Sequence, residues 1–136
     1  MRKSIATLAY TAGIVDGEGT IKLRTNKSYY EVEVFVTNTN EWLIQWLKMQ
    51  FGGRIYLMKD SSRKPNARDG FRWRLISRQA SEFLKLILPY LQIKRPQAEL
   101  AIAYQKRRRK PWMRRQSKVL DDAQKVLMSH YNKRGQ

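Results

Sequence analysis

Apolar and polar residues follow two different periods along this chain. Alternation with period two indicates a strand with one buried face, and a spacing of three to four indicates an amphipathic helix. The alternating segments predict strands over 20–26, 29–37, 54–59 and 71–76, and the helical spacing predicts helices over 4–16, 40–51, 81–88, 96–104 and 117–131. The order is therefore αββαββα, followed by further C-terminal helices.

Polar and glycine residues at the predicted ends support these elements. Ser4 and Asn40 are suitable N-caps, and Gly52 follows the second helix as a C-terminal glycine should. The segment Asn26-Lys27-Ser28 is a short turn between the first two strands. Strands in pairs joined by short turns predict a four-stranded antiparallel sheet, curved, with helices on one face, which is the α+β class.

The two faces of the predicted sheet differ in chemistry. Ile21, Leu23, Val32, Val34 and Val36 form an apolar inner face that packs on the helices. For the fourth strand two registers remain open, since either its arginines or its aromatic residues could lie on the outer face. In the second helix, Trp42 and Trp46 are four residues apart and are predicted to lie in the core.

Charge indicates the kind of partner. The 136 residues contain 28 Lys and Arg against 11 Asp and Glu, a net charge of +17. Such a one-sided excess favours a nucleic acid partner.

The absence of Cys and the single His130 exclude disulfides, thiolate metal sites and zinc fingers. No signal peptide and no apolar run of about 20 residues is present, so we expect an intracellular protein of a prokaryotic cytoplasm or an organelle, with no membrane partner.

One short run, Thr11-Ala12-Gly13-Ile14-Val15-Asp16-Gly17-Glu18-Gly19, combines small residues with two carboxylates. Ala9, Gly13 and Gly17 recur every four residues and form a stripe that lets a second helix approach closely. A single carboxylate holds Mg²⁺ poorly, but two copies of this helix would bring two carboxylates together at the helix ends. Such an arrangement would suit metal-assisted cleavage of a phosphodiester bond.

The run resembles the motif that names the LAGLIDADG homing endonucleases. The resemblance extends over about 5–105, through Val36-Thr37-Asn38 and the segment Leu88-Pro89-Tyr90-Leu91-Gln92-Ile93-Lys94-Arg95-Pro96-Gln97-Ala98. It implies a core of 1–105, and 106–136 is then a basic helical extension of the same domain. Thr11 stands where the family commonly has Leu.

The resemblance also implies roles for individual residues. Glu18 would bind the catalytic metal with help from the carbonyl of Gly17, Lys94 would organise water around the scissile phosphate, and Asn38 would line the site. Asp16 would belong to the end of the helix. The implied metal is Mg²⁺ or Mn²⁺, and Ca²⁺ is expected to bind without supporting cleavage.

A single motif implies a homodimer and a palindromic or near-palindromic DNA target. The predicted interface comprises Ala9, Ala12, Gly13, Asp16 and Gly17. Predicted contacts to double-stranded DNA come from the outer face of the sheet, namely Thr20, Lys22, Arg24, Asn26, Tyr29, Glu31, Glu33, Arg54, Tyr56, Arg72 and Arg74. There arginine can bind guanine, and an outward glutamate can accept from cytosine.

The basic run 106–110, with Arg107 and Arg108, is predicted to contact phosphates, and the alternative is a solvated linker. The function predicted is a homing endonuclease that makes a metal-dependent double-strand break. The alternatives are a splicing maturase that binds intron RNA, a non-catalytic DNA-binding regulator on the same fold, or a basic structural RNA-binding protein. Retention of Glu18 and Lys94 favours the nuclease, because a protein that only binds has no need of them.

Overall fold

The helices and strands follow the predicted order. The structure is a computed structural model that describes residues 2–27, 29–59, 69–108 and 118–134. Its elements are α1 (Ile5–Glu18), β1 (Gly19–Asn26), β2 (Tyr29–Asn38), α2 (Glu41–Phe51), β3 (Arg54–Met58), β4 (Gly70–Ile76), α3 (Ser77–Ile87), a 3₁₀ turn (Leu88–Tyr90), α4 (Arg95–Arg108) and α5 (Lys118–Arg134). The α+β class and the αββαββα order are confirmed.

The four strands form one antiparallel sheet in the order β1-β2-β4-β3. All five residues predicted for the inner face are fully buried. In β4, Trp73 and Leu75 are buried on this same face, so Arg72 and Arg74 lie on the outer face. The register of the fourth strand, which the sequence left open, is therefore the one that presents arginines.

Local hydrogen bonds explain where the helices begin. The Ser4 hydroxyl accepts from the backbone N–H of Thr7 at 3.1 Å, and the Asn40 side chain accepts from that of Leu43 at 3.2 Å. Both predicted N-caps are thus confirmed. Helix α3 begins at Ser77, four positions before its predicted start. The pattern did not indicate this first turn, because its residues are mostly polar and have no apolar period. In the turn between β1 and β2, Ser28 lies outside the described residues.

Helix α5 lies along the free edge of the sheet. Strand β1 is an edge strand, and two of its backbone carbonyls accept from α5: Asn132 Nδ2 donates to Ile21 O at 3.0 Å, and Lys125 Nζ donates to Leu23 O. Helix α4 crosses the predicted boundary between 105 and 106 without a break. No helix in the described ranges is long and apolar enough to cross a membrane.

The predicted core position of Trp42 is wrong. Its side chain is 66% exposed, and only Trp46 is partly buried, with its ring 5.3 Å from that of Tyr10 on α1. Tyr10 is itself 53% exposed. The two helices therefore carry exposed aromatic residues beside the stripe of small residues on α1.

A buried tyrosine attaches α4 to the sheet, and its loss should be costly. The Tyr104 hydroxyl donates to Tyr30 O at 2.7 Å and accepts from Tyr30 N at 3.2 Å. In Tyr104→Phe both backbone groups lose this partner, so we expect the free energy of unfolding to fall by about 1–3 kcal/mol. Urea unfolding measures this loss. Tyr29→Phe, which removes an exposed hydroxyl, is the control and should change stability by less than about 0.5 kcal/mol.

Candidate nuclease site and nucleic-acid interface

The Asp16 carboxylate fixes the turn that carries Lys94. It accepts from the backbone N–H groups of Gln92 at 2.8 Å, Ile93 at 3.2 Å and Lys94 at 2.9 Å. These three donors immediately precede α4, which begins at Arg95, so Asp16 fixes the segment that leads into that helix. Asp16 therefore serves the end of α1, as the sequence resemblance implied. Its predicted place in the dimer interface stays a prediction.

Lys94 lies against the C-terminal end of α1. Its Nζ donates to the carbonyls of Val15 at 3.2 Å and Asp16 at 2.8 Å. Carbonyls at this end of a helix carry partial negative charge and favour a cation. Burial lowers the pKa of Lys94, and the nearby Asp16 carboxylate offsets this only in part. The ammonium is thus both positioned and partly desolvated beside the last turn of α1.

Glu18 is the last residue of α1 and is exposed. Its carboxylate accepts a hydrogen bond from Nδ2 of Asn38, the last residue of β2. The amide oxygen of Asn38, Oδ1, accepts a hydrogen bond from the backbone N–H of Asn40 at 2.8 Å. The structure therefore brings Glu18 and Asn38 into contact and places the Lys94 ammonium against two carbonyls in the last turn of α1. Only the motif, and no local pattern, pointed to this grouping.

The donors at this site are oxygens. The described residues contain no group of three or more His, Cys, Asp or Glu side chains that could hold a metal ion. One chain offers the Glu18 carboxylate and, one residue earlier, the backbone carbonyl of Gly17. Hard oxygen donors of this kind fit Mg²⁺ or Ca²⁺, which fill their remaining positions with water or phosphate oxygen.

The stripe of small residues on α1 is uncovered within one chain. Ala9, Gly13 and Gly17 are exposed, and a Cβ atom added at either glycine would have no neighbour within 4 Å among the residues that the structure describes. They line a shallow depression of about 480 Å³ that ends at Glu18. The predicted interface position of Ala12 is wrong, because Ala12 is fully buried in the core of its own chain.

The outer face of the sheet gathers the predicted DNA-binding residues. Across the strands, Lys22 lies opposite Glu33, Arg24 opposite Glu31, and Asn26 opposite Tyr29. On the other half of this face, Arg54 lies opposite Arg74 and Tyr56 opposite Arg72. Thr20, opposite Phe35, completes the face toward the start of β1. The face is strongly basic because five of these side chains are Lys or Arg.

Hydrogen bonds fix several of the arginines in place. Arg72 Nε donates to Thr37 Oγ1 at 2.9 Å, and its guanidinium lies 4.0 Å from the centre of the Phe35 ring. Burial opposes the charge of Arg74, but its hydrogen bonds to Tyr56 and Glu33 outweigh burial and raise its pKa. The same contact with Arg74 lowers the pKa of Tyr56. The alternation with Val36 places Thr37 and Phe35 on this face, but neither was predicted to belong to the DNA-binding surface.

The two glutamates on this face are not free to project outward. Glu31 is 7% exposed and Glu33 is 5% exposed. Arg24 forms an ion pair with Glu31, and Arg74 forms one with Glu33. The expectation of outward glutamates that accept from cytosine is therefore corrected, since both carboxylates are engaged by arginines of the same face.

The basic run at the end of α4 has a role inside the chain. Arg107 Nη2 lies 2.6 Å from the Asp121 carboxylate of α5, and the Arg107 side chain is 12% exposed. Arg108 lies over the Tyr29 ring at 5.2 Å and 3.8 Å from Asp121. The predicted phosphate contact of Arg107 is corrected accordingly, because its guanidinium joins α4 to α5. Lys106 is exposed, and the remaining residues of the run, 109–110, lie outside the described residues.

The fold of this chain also occurs in solved structures of other proteins. The chain has the LAGLIDADG homing endonuclease fold, as its motif predicted. It is similar to the homing endonuclease I-CvuI in complex with its target in the presence of calcium, with 22% identity and a TM-score of 0.64 over 90% of this chain and 82% of that chain. It is also similar to the archaeal intron-encoded homing endonuclease I-Vdi141I complexed with DNA, with 13% identity and a TM-score of 0.71 over 93% and 84%.

A third similar structure is that of the meganuclease I-SmaMI bound to uncleavable DNA. Its identity is 25% and its TM-score 0.50, over 76% of this chain and 37% of that chain. A scan of protein-family models found no match, and a search of curated proteins found none of significance. At these identities the likeness establishes the fold, and the activity has to be argued from this chain's own residues.

Proposed function

We propose that this chain is a site-specific DNA endonuclease that acts as a homodimer. In this proposal it makes a divalent-metal-dependent double-strand break in a long, near-palindromic target. The observation that carries it is the convergence of Glu18, Asn38 and Lys94 at the end of α1, beside an uncovered stripe of small residues. A binding protein on this fold would need the sheet but not this group.

The stripe supports the dimer. Helices approach most closely where side chains are smallest, and Gly in a helix costs about 1 kcal/mol relative to Ala. Among the described residues nothing approaches Gly13 or Gly17 closely enough to require a glycine, because space for a Cβ is open at both. A second copy of α1 packed on the stripe would recover that cost. It would also bring a second Glu18 to the same end of the helix pair.

The Glu18 carboxylate and the Gly17 carbonyl are the groups that would hold Mg²⁺ or Mn²⁺ in each half of the dimer. When bound, such an ion supplies positive charge at the scissile phosphate and a more acidic water. Asn38 orients the Glu18 carboxylate through its hydrogen bond. Lys94, held by two carbonyls of α1, places a cation where negative charge develops on the phosphate.

The outer face of the sheet is the surface that would dock on DNA. It carries Lys22, Arg24, Arg54, Arg72 and Arg74 side by side, and the whole chain has a net charge of +17. A two-stranded ribbon fits the major groove, where arginine binds guanine through two hydrogen bonds. The similar structures of I-CvuI and I-Vdi141I are both complexes with DNA.

The test is incubation of the purified protein with a library of near-palindromic duplexes in the presence of Mg²⁺. Selective cleavage of both strands of a subset of sequences supports the proposal, and replacement of Mg²⁺ by Ca²⁺ should leave binding without cleavage. Selective binding with no cleavage in Mg²⁺ or Mn²⁺ contradicts it and favours the non-catalytic regulator. Tighter binding to structured RNA than to any duplex DNA favours the maturase.

Lys94→Met should slow cleavage far more than it weakens binding. The substitution keeps the length of the side chain but removes the cation, so we expect the single-turnover cleavage rate to fall about a hundredfold. DNA affinity, measured by gel shift in Ca²⁺, should change by less than about threefold because one charge of many is lost. Lys85→Met, at an exposed ion pair on α3, is the matched control, and an equally slow control would contradict the assignment.

A further inference from the structure

A buried carboxylate beneath the basic face of the sheet holds one arginine in a defined orientation. Arg24 Nε lies 3.0 Å from Glu31 Oε1, and Arg24 Nη2 donates to the same oxygen. The two residues are direct cross-strand partners. The Arg24 side chain is 42% exposed, whereas that of Glu31 is 8% exposed. The Arg24 side chain therefore reaches the surface, whereas the carboxylate that holds it is buried.

This contact occupies only one edge of the guanidinium. Arginine has five N–H donors in a planar fork, and Glu31 takes the one on Nε and one on Nη2. Both donors on Nη1 and one on Nη2 remain, and they form the edge that can bind O6 and N7 of guanine together. A free arginine would have to lose side-chain entropy to adopt this orientation, whereas one held by Glu31 has largely lost it before binding.

Glu31 is itself held from several sides. Its Oε2 lies 3.4 Å from Asn26 Nδ2 on β1 and 3.5 Å from Ser77 Oγ at the start of α3. Arg74 Nη2 of β4 lies 3.7 Å from its Oε1. Three elements besides its own strand thus fix the carboxylate, so it cannot rotate outward without breaking several contacts.

We propose that Glu31 is a positioning residue for sequence recognition. It does not contact bases but presents Arg24 to one symmetric base-pair position of the target. This inference rests on the proposed function, since it requires that the outer face of the sheet read DNA. A carboxylate on a DNA-binding face lowers the affinity for every sequence, so affinity for phosphate gives no reason for Glu31 to be there. A role in positioning Arg24 does give such a reason.

The test is discrimination between the preferred duplex and the same duplex with single symmetric base-pair changes. Glu31→Gln should lower discrimination at one position by about tenfold or more, the range for loss of an arginine–guanine pair. Its affinity for a scrambled duplex should be equal or higher, because a negative charge has been removed. Arg24→Ala should lose discrimination at the same position. Glu82→Gln, an exposed glutamate on α3, is the matched control and should change neither property.

The double variant separates positioning from direct contact. If Glu31 acts through Arg24, adding Glu31→Gln to Arg24→Ala should cause no further loss of discrimination. A further, additive loss, or a loss at a different base pair, would overturn the inference and make Glu31 a base-contacting residue. A uniform loss of affinity together with a lower melting temperature would also overturn it, since that is the signature of a structural role.

A second variant at position 31 tests the inference if Glu31→Gln is unstable. If Glu31→Gln does not fold, Glu31→Asp keeps the charge but shortens the reach to Arg24. It should lower discrimination at the same position with unchanged affinity for scrambled DNA, and full discrimination would overturn the inference. If the unmodified protein binds all duplexes alike, both the proposed function and this inference fail. Intact discrimination in Glu31→Gln removes the inference alone.

Discussion

Glu18→Gln is expected to abolish DNA cleavage and to leave DNA binding intact. The substitution preserves the shape of the side chain but removes the charged carboxylate that would hold the metal. Because a bound cation contributes several kcal/mol to stabilisation of the transition state, the single-turnover rate should fall about a thousandfold or more. Gel shifts in Ca²⁺ should give an affinity within a few fold, since Glu18 lies at the end of α1 and not on the sheet.

The matched control for this variant is Glu82→Gln, which makes the same chemical change at an exposed position of α3. It should cleave at the unmodified rate. Asn38→Ala gives an independent check, because Asn38 donates to the Glu18 carboxylate and its loss should slow cleavage less than loss of Glu18 itself. Cleavage by Glu18→Gln at the unmodified rate would remove Glu18 from the site.

Gly13→Leu is expected to separate the dimer and to abolish double-strand cleavage while the single chain stays folded. In one chain a Cβ added at Gly13 meets no atom of the described residues within 4 Å. In the proposed dimer it would project into the partner helix and force the backbones apart. Sedimentation velocity at micromolar concentration should show a monomer, and urea unfolding should show a cooperative transition.

Gly13→Ala makes this prediction sharper, because its two expected effects have opposite signs. Alanine should stabilise the folded single chain by up to about 1 kcal/mol through helix propensity, yet weaken the dimer through its Cβ. The control is Ala103→Leu, which adds an apolar side chain at an exposed position of α4 and should affect neither. A Gly13→Leu variant that remains a dimer and cuts both strands would exclude this stripe as the interface.

The inner face of the sheet and the order of its elements were predictable from the sequence. Branched residues such as Val32, Val34 and Val36 alternate strictly, and a shift of one residue would expose all of them. The grouping of Glu18, Asn38 and Lys94 was predictable only through the family motif. These residues are far apart in the chain, and no local period records that they meet.

Other features depended on details that a pattern does not contain. Ala12 directly precedes Gly13 and so lies about 100° around the helix, which turns it into the core. Trp42 has the spacing of a core residue, but spacing alone does not distinguish the protein's own core from an exposed face. The burial of Glu31 and Glu33 depended on the arginines that lie across the strands. Arg24 faces Glu31 from β1, whereas the contact of Arg74 with Glu33 depends on the register of β4.

The contact between α5 and β1 has a consequence for how the protein is made. Asn132 binds a carbonyl 111 positions earlier, and Lys125 binds one 102 positions earlier. Contacts between such distant positions form late, because a long loop must close first. During synthesis the edge of β1 therefore stays open until the residues of α5 have left the ribosome. An open edge strand can pair with another chain, so translation that stops before α5 should leave nascent chains that aggregate through β1.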